Sequence, residues 1–392
     1  MISTLNCQRD LFDIPRDVCF LNAGSWSPLP NSSVVLGQKA VTRKAQPWLL
    51  DSNLEDEQCE AARKAASNLI NADAEDVAIV PSVGHGVATA AKALSLPAAS
   101  RVIVLADDHS SPVLEWTAKR EGEAMSVRTV SPGLDGDWNA ALLTAIEEEG
   151  PKGLSLLSAS NVHWADGGLI DMVAIRAALD QWDAALLVDA THAVGVLDID
   201  VKRMNPDFLI FPTYKWLLGP YGRAFLYVAK RNQNAIPLEQ TMSGRRRVRA
   251  EDPVYFTDLD YLPDARRFDM GERDFFVSLD MARHGMEMIL NWGHEAIRRR
   301  LTMLTDHICE GIANSGLPVS APERTVRSPH ILCVIFDSGM PDQLPAALRA
   351  NHVYVAPRLG SLRITPHVYN DEADCDHFLD AFSVAMSNVE TT

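Results

Sequence analysis

A chain of 392 residues, 47% of them hydrophobic and 22% charged, has the composition of a globular protein with room for two cores. Its net charge of −16 disfavours nucleic acid and anionic membrane as partners. No run approaches the roughly 20 apolar residues of a membrane span. The first residues, MISTLNCQRDLFDIPRD, carry charges where a signal peptide needs an apolar stretch, so a cytoplasmic protein is expected. The six cysteines are scattered, with no CxxC pair, which argues against a metal site or a disulfide framework. One basic run, RRRVR at 245–249, reads as a solvated loop.

In chain order, short and largely β-branched apolar runs fall at 77–81, 102–106, 127–130, 154–158, 185–189, 208–211 and 224–228. Runs apolar on both faces predict a buried, mainly parallel sheet. Helical stretches lie between several of them. Asn139 is placed to cap NAALLTAIEEE, which Gly150 ends, and Asp171 to cap MVAIRAALDQW. Strand and helix in alternation predict an α/β fold with helices on both faces of the sheet. After about residue 265 the pattern changes. Helices are expected at 278–291 and 294–314, broken at Gly293. A strand at 331–336, a helix at 342–350, short strands around Val353 and Leu362, and a helix at 371–388 follow. The expected division is a large α/β domain, 20–264, and a small α+β domain, 265–392 joined by 1–19.

In such sheets ligands bind beyond the carboxyl ends of the strands, so reactive side chains were sought there. Asp189 closes ALLVD, where an acid among apolar neighbours needs a cationic partner, although a strand-end Asp is as often a helix cap. Lys215 follows FLIF in FPTYKWLLGPYG. Placement alone leaves it open between a snorkelling lysine and a poorly hydrated, nucleophilic amine. The stretch VAIVPSVGHGVATAAKAL reads as strand, glycine-containing turn and helix, a backbone cradle for an anion. A nicotinamide-binding reading of that turn is weaker, because the third glycine of GxGxxG would fall at Thr89.

DATHAVG followed by FPTYKWLLGPYG resembles the core of the class V aminotransferases, a pyridoxal-5′-phosphate (PLP) family of fold type I. The resemblance is strongest to the isopenicillin N epimerase-like and cysteine desulfurase-like branch, and runs from LNAGSWSPLP (21–30) to the last helix. It implies PLP as cofactor, an amino acid as substrate and a homodimer. It also implies Lys215 as the Schiff-base lysine and Asp189 as partner of the pyridine nitrogen. His192 and Asn161 would contact the cofactor's phenolic oxygen and His109 would stack on its ring. Ser82, Gly84 and His85 match the phosphate loop, and Arg363, in SLRITPHVYN, matches the arginine that grips the substrate α-carboxylate. Arg358 is a neighbouring candidate. Two positions depart from the family: Pro212 where a serine is usual, and Glu272 where a threonine is. Thr213 or an arginine such as Arg273 is the expected replacement for those phosphate donors.

The resemblance covers several reactions at the α-carbon. Transamination asks for the fewest extra groups and is put first, before epimerisation and cysteine C–S lysis. Epimerisation needs a proton donor opposite Lys215, and adjacency in sequence does not place Tyr214 there. His163 and Trp164 are candidates for the substrate pocket. Desulfuration needs a cysteine shortly before the substrate arginine, and 351–363 holds none; Cys333 falls in an expected core strand. Substrate specificity is expected to rest on the loops at 25–30 and 243–253.

Overall fold

The computed structural model describes residues 4–389 apart from 51–53, 121–124, 134, 247, 249–252, 257 and 274–275. Seven strands form one sheet: β1 (Val77–Val80), β2 (Arg101–Leu105), β3 (Ser126–Val130), β4 (Leu154–Ser160), β5 (Ala185–Asp189), β6 (Phe208–Pro212) and β7 (Ala224–Val228). Their order is β1-β7-β6-β5-β4-β2-β3. All are parallel except β7, which runs against both neighbours. Every residue of β1, β6 and β7 is buried, which is why these strands read as unbroken apolar runs. This is the mainly parallel α/β sheet expected.

Helices cover both faces. In the helix Val83–Leu94, a Cβ on Gly86 would lie 1.7 Å from Ile210 Cδ1, so only glycine lets the helix sit this close to β6. The helix Trp138–Glu149 is capped by Asp137, not by Asn139 as expected: Asp137 Oδ1 accepts from the N–H groups of Asn139 and Ala140. The Asn139 side chain is used elsewhere, donating to Leu169 O and accepting from Asp171 N. Asp171 caps its helix as expected. Gly293, at φ +79°, separates the helices Phe276–Trp292 and His294–Asn314.

Beyond residue 265 the chain first packs the helix Phe276–Trp292 on the helices Asn31–Lys44 and Leu54–Leu69. It then builds a small antiparallel sheet from β8 (Val319–Ser320), β9 (Leu332–Phe336), β10 (Ala356–Arg358) and β11 (Ser361–Ile364), ordered β10-β11-β9-β8. The N-terminal segment joins it: Cys19 and Phe20 pair with Val353 and Tyr354, and Thr365 exchanges backbone hydrogen bonds with Leu21 and Ala23. Among the described residues no helix is long and apolar enough to cross a membrane.

A buried ion pair ties the edge of the large sheet to the segment before that long helix. Arg63 and Asp269 meet through two parallel hydrogen bonds, 3.1 and 2.7 Å, with both side chains fully buried. Asp269 Oδ1 also accepts from Ile79 N in β1, and Arg63 donates to Val77 O. Removing one partner strands the other charge in the core. Asp269→Ala should therefore lower the unfolding free energy by about 3–5 kcal/mol, read by denaturant titration followed by circular dichroism.

Candidate active site

At the carboxyl edge of the large sheet lies a cavity of about 480 Å³. Parallel strands deliver their C-terminal residues to one edge, and all but β3 contribute to the wall: Ser82 after β1, His109 after β2, Ser160 from β4, Asp189 from β5 and Lys215 after β6. An adjoining cavity of about 420 Å³ shares His109, Trp164, Tyr214, Lys215 and Tyr221 with it and is closed on the far side by Ser25, Arg358 and Arg363.

Lys215 is 6% exposed, and its Nζ lies 3.1 Å from His192 Nε2. His192 Nδ1 accepts a 3.1 Å hydrogen bond from the Trp216 indole, which can only donate. The Nδ1 lone pair is thus taken, and a neutral imidazole must carry its hydrogen on Nε2. That hydrogen is directed at Nζ, so the amine accepts it, which an ammonium cannot do. The electrostatics agree. Burial, then the Arg363 cation, lowers the Lys215 ammonium to about 7, and burial holds His192 well below its usual range, so the ring is neutral.

Asp189 is 2% exposed. Its Oδ1 accepts from Thr191 N at 2.9 Å and from the Thr191 hydroxyl. Burial pushes its carboxyl up to about 6 in spite of these bonds and of the nearby Lys215. A carboxylate this poorly hydrated would gain from a cationic N–H facing it. His109 projects into both cavities, edge-on to Trp164 at 6.0 Å. Desolvation, then Lys215, keeps its imidazole below its ordinary value and neutral.

The end of the cavity near β1 is built for an anion. Ser82 Oγ caps the helix Val83–Leu94 by accepting from His85 N, and Ser82, Val83 and Gly84 line the wall where that helix begins. The His85 ring is not part of the lining; its Nε2 lies 3.5 Å from Glu239. Thr213 is not part of it either, because its buried hydroxyl donates to Pro220 O at 2.7 Å. Arg273 is engaged by Asp269 and Asp56. The cation that does line this end is Arg223, 2% exposed, with Nε donating to Ser278 Oγ. Arg223 was not legible as a site residue because it precedes a strand, whereas ligands of parallel sheets bind after strand ends. Since β7 is reversed, its first residue pairs with both Pro212 and Val80, which sets Arg223 beside the turn after β1. A basic residue inside the apolar stretch before AFLYV was the available signal.

Arg363 is 1% exposed. Its Nη1 donates to Trp164 O at 2.6 Å and its Nη2 to Ser25 Oγ at 3.0 Å; its Nε is buried with no partner. Burial, then the Arg358 cation, lowers it to about 9, still charged at neutral pH. Gly24 permits the approach, since a Cβ there would lie 3.3 Å from Arg363 Cζ and 2.9 Å from Thr365. Trp164 lines both cavities, whereas both nitrogens of His163 are engaged, by Asp166 and Ala106 O, and its ring faces a separate cavity. Asn161 is behind the wall: its backbone N–H donates to Asp189 O, and its Oδ1 is buried without a partner among the described residues. Arg247 and Arg249 lie outside the described residues; Arg245 sits over the Tyr261 ring at 3.9 Å.

A doubly wound sheet with a buried lysine and a buried aspartate at its carboxyl edge is the architecture of fold type I PLP enzymes. The model of the class V aminotransferase family matches residues 41–370, and the chain belongs to that PLP-dependent family. Among curated proteins it is 28% identical over 325 residues to the uncharacterized aminotransferase YcbU of Bacillus subtilis, covering 83% of each chain. It is 27% identical to the isopenicillin N epimerase of Streptomyces clavuligerus, covering 92% of this chain and 93% of that one. Among solved structures the apo cysteine desulfurase of Thermococcus onnurineus superposes with a TM-score of 0.83 at 18% identity, over 98% of this chain and all of the other. At that identity the likeness speaks to the fold alone.

The residues present fit the cofactor. There is an amine whose ammonium is pushed down to about 7, a carboxylate in need of a cation, an imidazole to lie on a ring, and a helix start with a buried arginine for a phosphate. Because the Lys215 ammonium titrates near 7, the nucleophilic amine is lost as pH falls through that value. Uptake of PLP by the apoprotein, followed by its visible absorption, should accelerate from pH 6 to a plateau near about pH 8. A rise centred near the ordinary lysine value of about 10 would contradict the assignment.

Proposed function

We propose that this protein is a PLP-dependent aminotransferase acting at the α-carbon of an amino acid, with Lys215 as the lysine that holds the cofactor. The observation that carries the reading is the buried Lys215 amine, 3.1 Å from His192 Nε2, in one cavity with the buried Asp189. When bound, PLP supplies an aldehyde for amines and a ring that accepts the electron pair left at the α-carbon.

The chain's residues divide the remaining work. Asp189 would face the ring nitrogen and favour its protonated form, and His109 would cover the ring. Ser82, Gly84 and Arg223 would hold the phosphate, and His85 takes part only through the cap that its backbone N–H makes with Ser82 Oγ. His192 holds the Lys215 amine in its acceptor state. Asn161 acts through its backbone link to Asp189. Arg363 grips the substrate α-carboxylate and thereby fixes which bond at the α-carbon stands across the ring plane. Lys215 then removes the α-proton and returns it.

Transamination is favoured because one base suffices for it. Epimerisation needs a second proton donor. Tyr214, whose ring centre is 5.7 Å from Lys215 Nζ, is a poor one, because burial and then the stacked Tyr221 push its phenol up to about 12. A persulfide-forming desulfurase is disfavoured as well. The hairpin from β10 to β11 turns through Leu359 and Gly360 with no cysteine, and burial raises the Cys333 thiol, in β9, to about 11.

Borohydride treatment should abolish the visible band and leave a phosphopyridoxyl group on Lys215 by mass spectrometry. Lys215→Ala should bind PLP without that adduct and lose at least about 10³ in kcat. Near-normal turnover in the variant would overturn the role. Screening amino acids for 2-oxo acid, ammonia or inverted product separates transamination from elimination and epimerisation.

A homodimer and a cytoplasmic location belong to the same reading. Trp26 and Tyr221 at the cavity mouth, and Ile236, Met242, Tyr255, Phe256 and Leu259 nearby in the chain, leave large apolar side chains exposed for a second copy to cover. Light scattering should give twice the chain mass of 43.1 kDa; a monomer with full activity would refute the dimer. The cytoplasmic location is supported by six cysteines of which none is in a disulfide.

A further inference from the structure

The cavity beyond Lys215 holds more positive charge than an α-carboxylate requires. Arg363 on β11 and Arg358 on β10 face it from the two arms of one hairpin, and Arg349, at the end of the helix Leu344–Ala350, stands at its rim. No acidic residue is among the described residues that line it. The chain as a whole has 52 acidic residues against 36 basic, so this concentration of arginine is local.

The two hairpin arginines converge on a single atom. Arg358 Nη2 donates to Ser25 Oγ at 2.9 Å, and Arg363 Nη2 donates to the same oxygen at 3.0 Å. The Ser25 hydroxyl hydrogen goes the other way, to Asn22 Oδ1 at 2.8 Å, so its lone pairs are left for the two cations. The described partners of the two guanidinium groups are Pro357 O, Trp164 O and Ser25 Oγ, none of them a carboxylate, and the Nε of each is buried without an acceptor. Trp164 lies against both, with its ring centre 5.6 Å from Arg358 and 5.9 Å from Arg363. Two like charges held together raise each other's cost; Arg363 is buried and Arg358 half-buried beside it, and burial, then the Arg358 cation, lowers Arg363. The hydroxyl oxygen and the two backbone carbonyls these arginines also reach, Pro357 O and Trp164 O, carry no full negative charge to offset two cations. Anions do.

The α-carboxylate of an amino acid supplies one negative charge. Resting on the aminotransferase reading above, which assigns that charge to Arg363, we propose that the substrate is an amino acid whose side chain ends in a second carboxylate, received by Arg358. The hairpin sets the two guanidinium groups side by side, an arrangement that suits the two ends of a short dicarboxylate. Arg349 adds attraction at the entrance, where an acidic substrate must approach a chain of net charge −16.

The test uses unreactive acids that lack the amino group, so that binding is read apart from turnover. Calorimetric titration of the holoenzyme should show succinate or glutarate binding at least about tenfold more tightly than butyrate. Arg358→Gln should bring that ratio close to one. Arg358→Lys, which keeps the charge but not the fork, should leave an intermediate ratio, and it serves if the Gln variant is poorly folded. Equal binding of mono- and dicarboxylates by the wild-type protein would overturn the inference. So would an Arg358→Gln variant that weakens both by the same factor, since Arg358 would then merely share the α-carboxylate with Arg363. Turnover keeps the two proposals separate. Formation of 2-oxo acid from neutral amino acids with no dicarboxylate preference sinks this inference and spares the aminotransferase. An Arg358-dependent preference without 2-oxo acid from any amino acid does the reverse.

Discussion

The state of one buried amine depends on a chain of hydrogen bonds that begins far from it in sequence. The Trp216 indole sets the tautomer of His192, and that tautomer makes Lys215 an acceptor. Trp216 is itself held by the C-terminal part of the chain. His367 Nε2 donates to its carbonyl at 3.2 Å, and the His330 ring meets its indole edge-on at 4.4 Å. His330 also donates to His192 O at 2.6 Å. Burial depresses His330 to about 3 and His367 to about 4, so both remain neutral donors throughout the physiological range. Neutral groups thus hold the residues around Lys215, which preserves the low polarity that depresses its ammonium.

Topology explains why the other groups arrive at the same place. Five parallel strands end at one edge and deliver Ser82, His109, Ser160, Asp189 and Lys215 there. The single reversed strand brings its beginning, not its end, to that edge, and with it Arg223. A parallel β7 would have placed that arginine at the opposite side of the sheet. The same logic governs the second cavity. The N-terminal segment pairs with Val353–Tyr354 and Thr365, so Ser25 reaches Arg358 and Arg363 although more than 330 residues separate them in the chain.

Much of the large sheet was legible in the sequence. Ala185–Asp189 and Ala224–Val228 coincide with the expected runs, and the others differ by one or two residues, as where β4 continues to Ser160. A strand covered on both faces must be apolar throughout, and that is a local signal. Helix caps were harder. Asp137 and Asn139 are both able to cap, and the choice fell to Asp137 because Asn139 is drawn to Leu169 and Asp171 across the helix pair.

The sequence by itself determined the fold class and the family, and it singled out Asp189 and Lys215, which the structure buries in the wall of one cavity, because strand periodicity and short motifs are written within a few residues. Only the tertiary structure decided which groups those two would meet. It turned Thr213 and the His85 ring away from the cavity, engaged Arg273 with Asp269, brought Arg223 in, and set Arg358 beside Arg363. Hydrogen bonds and ion pairs are made between atoms close in space, and the pairing of strands distant along the chain, which local pattern does not encode, sets which atoms are close.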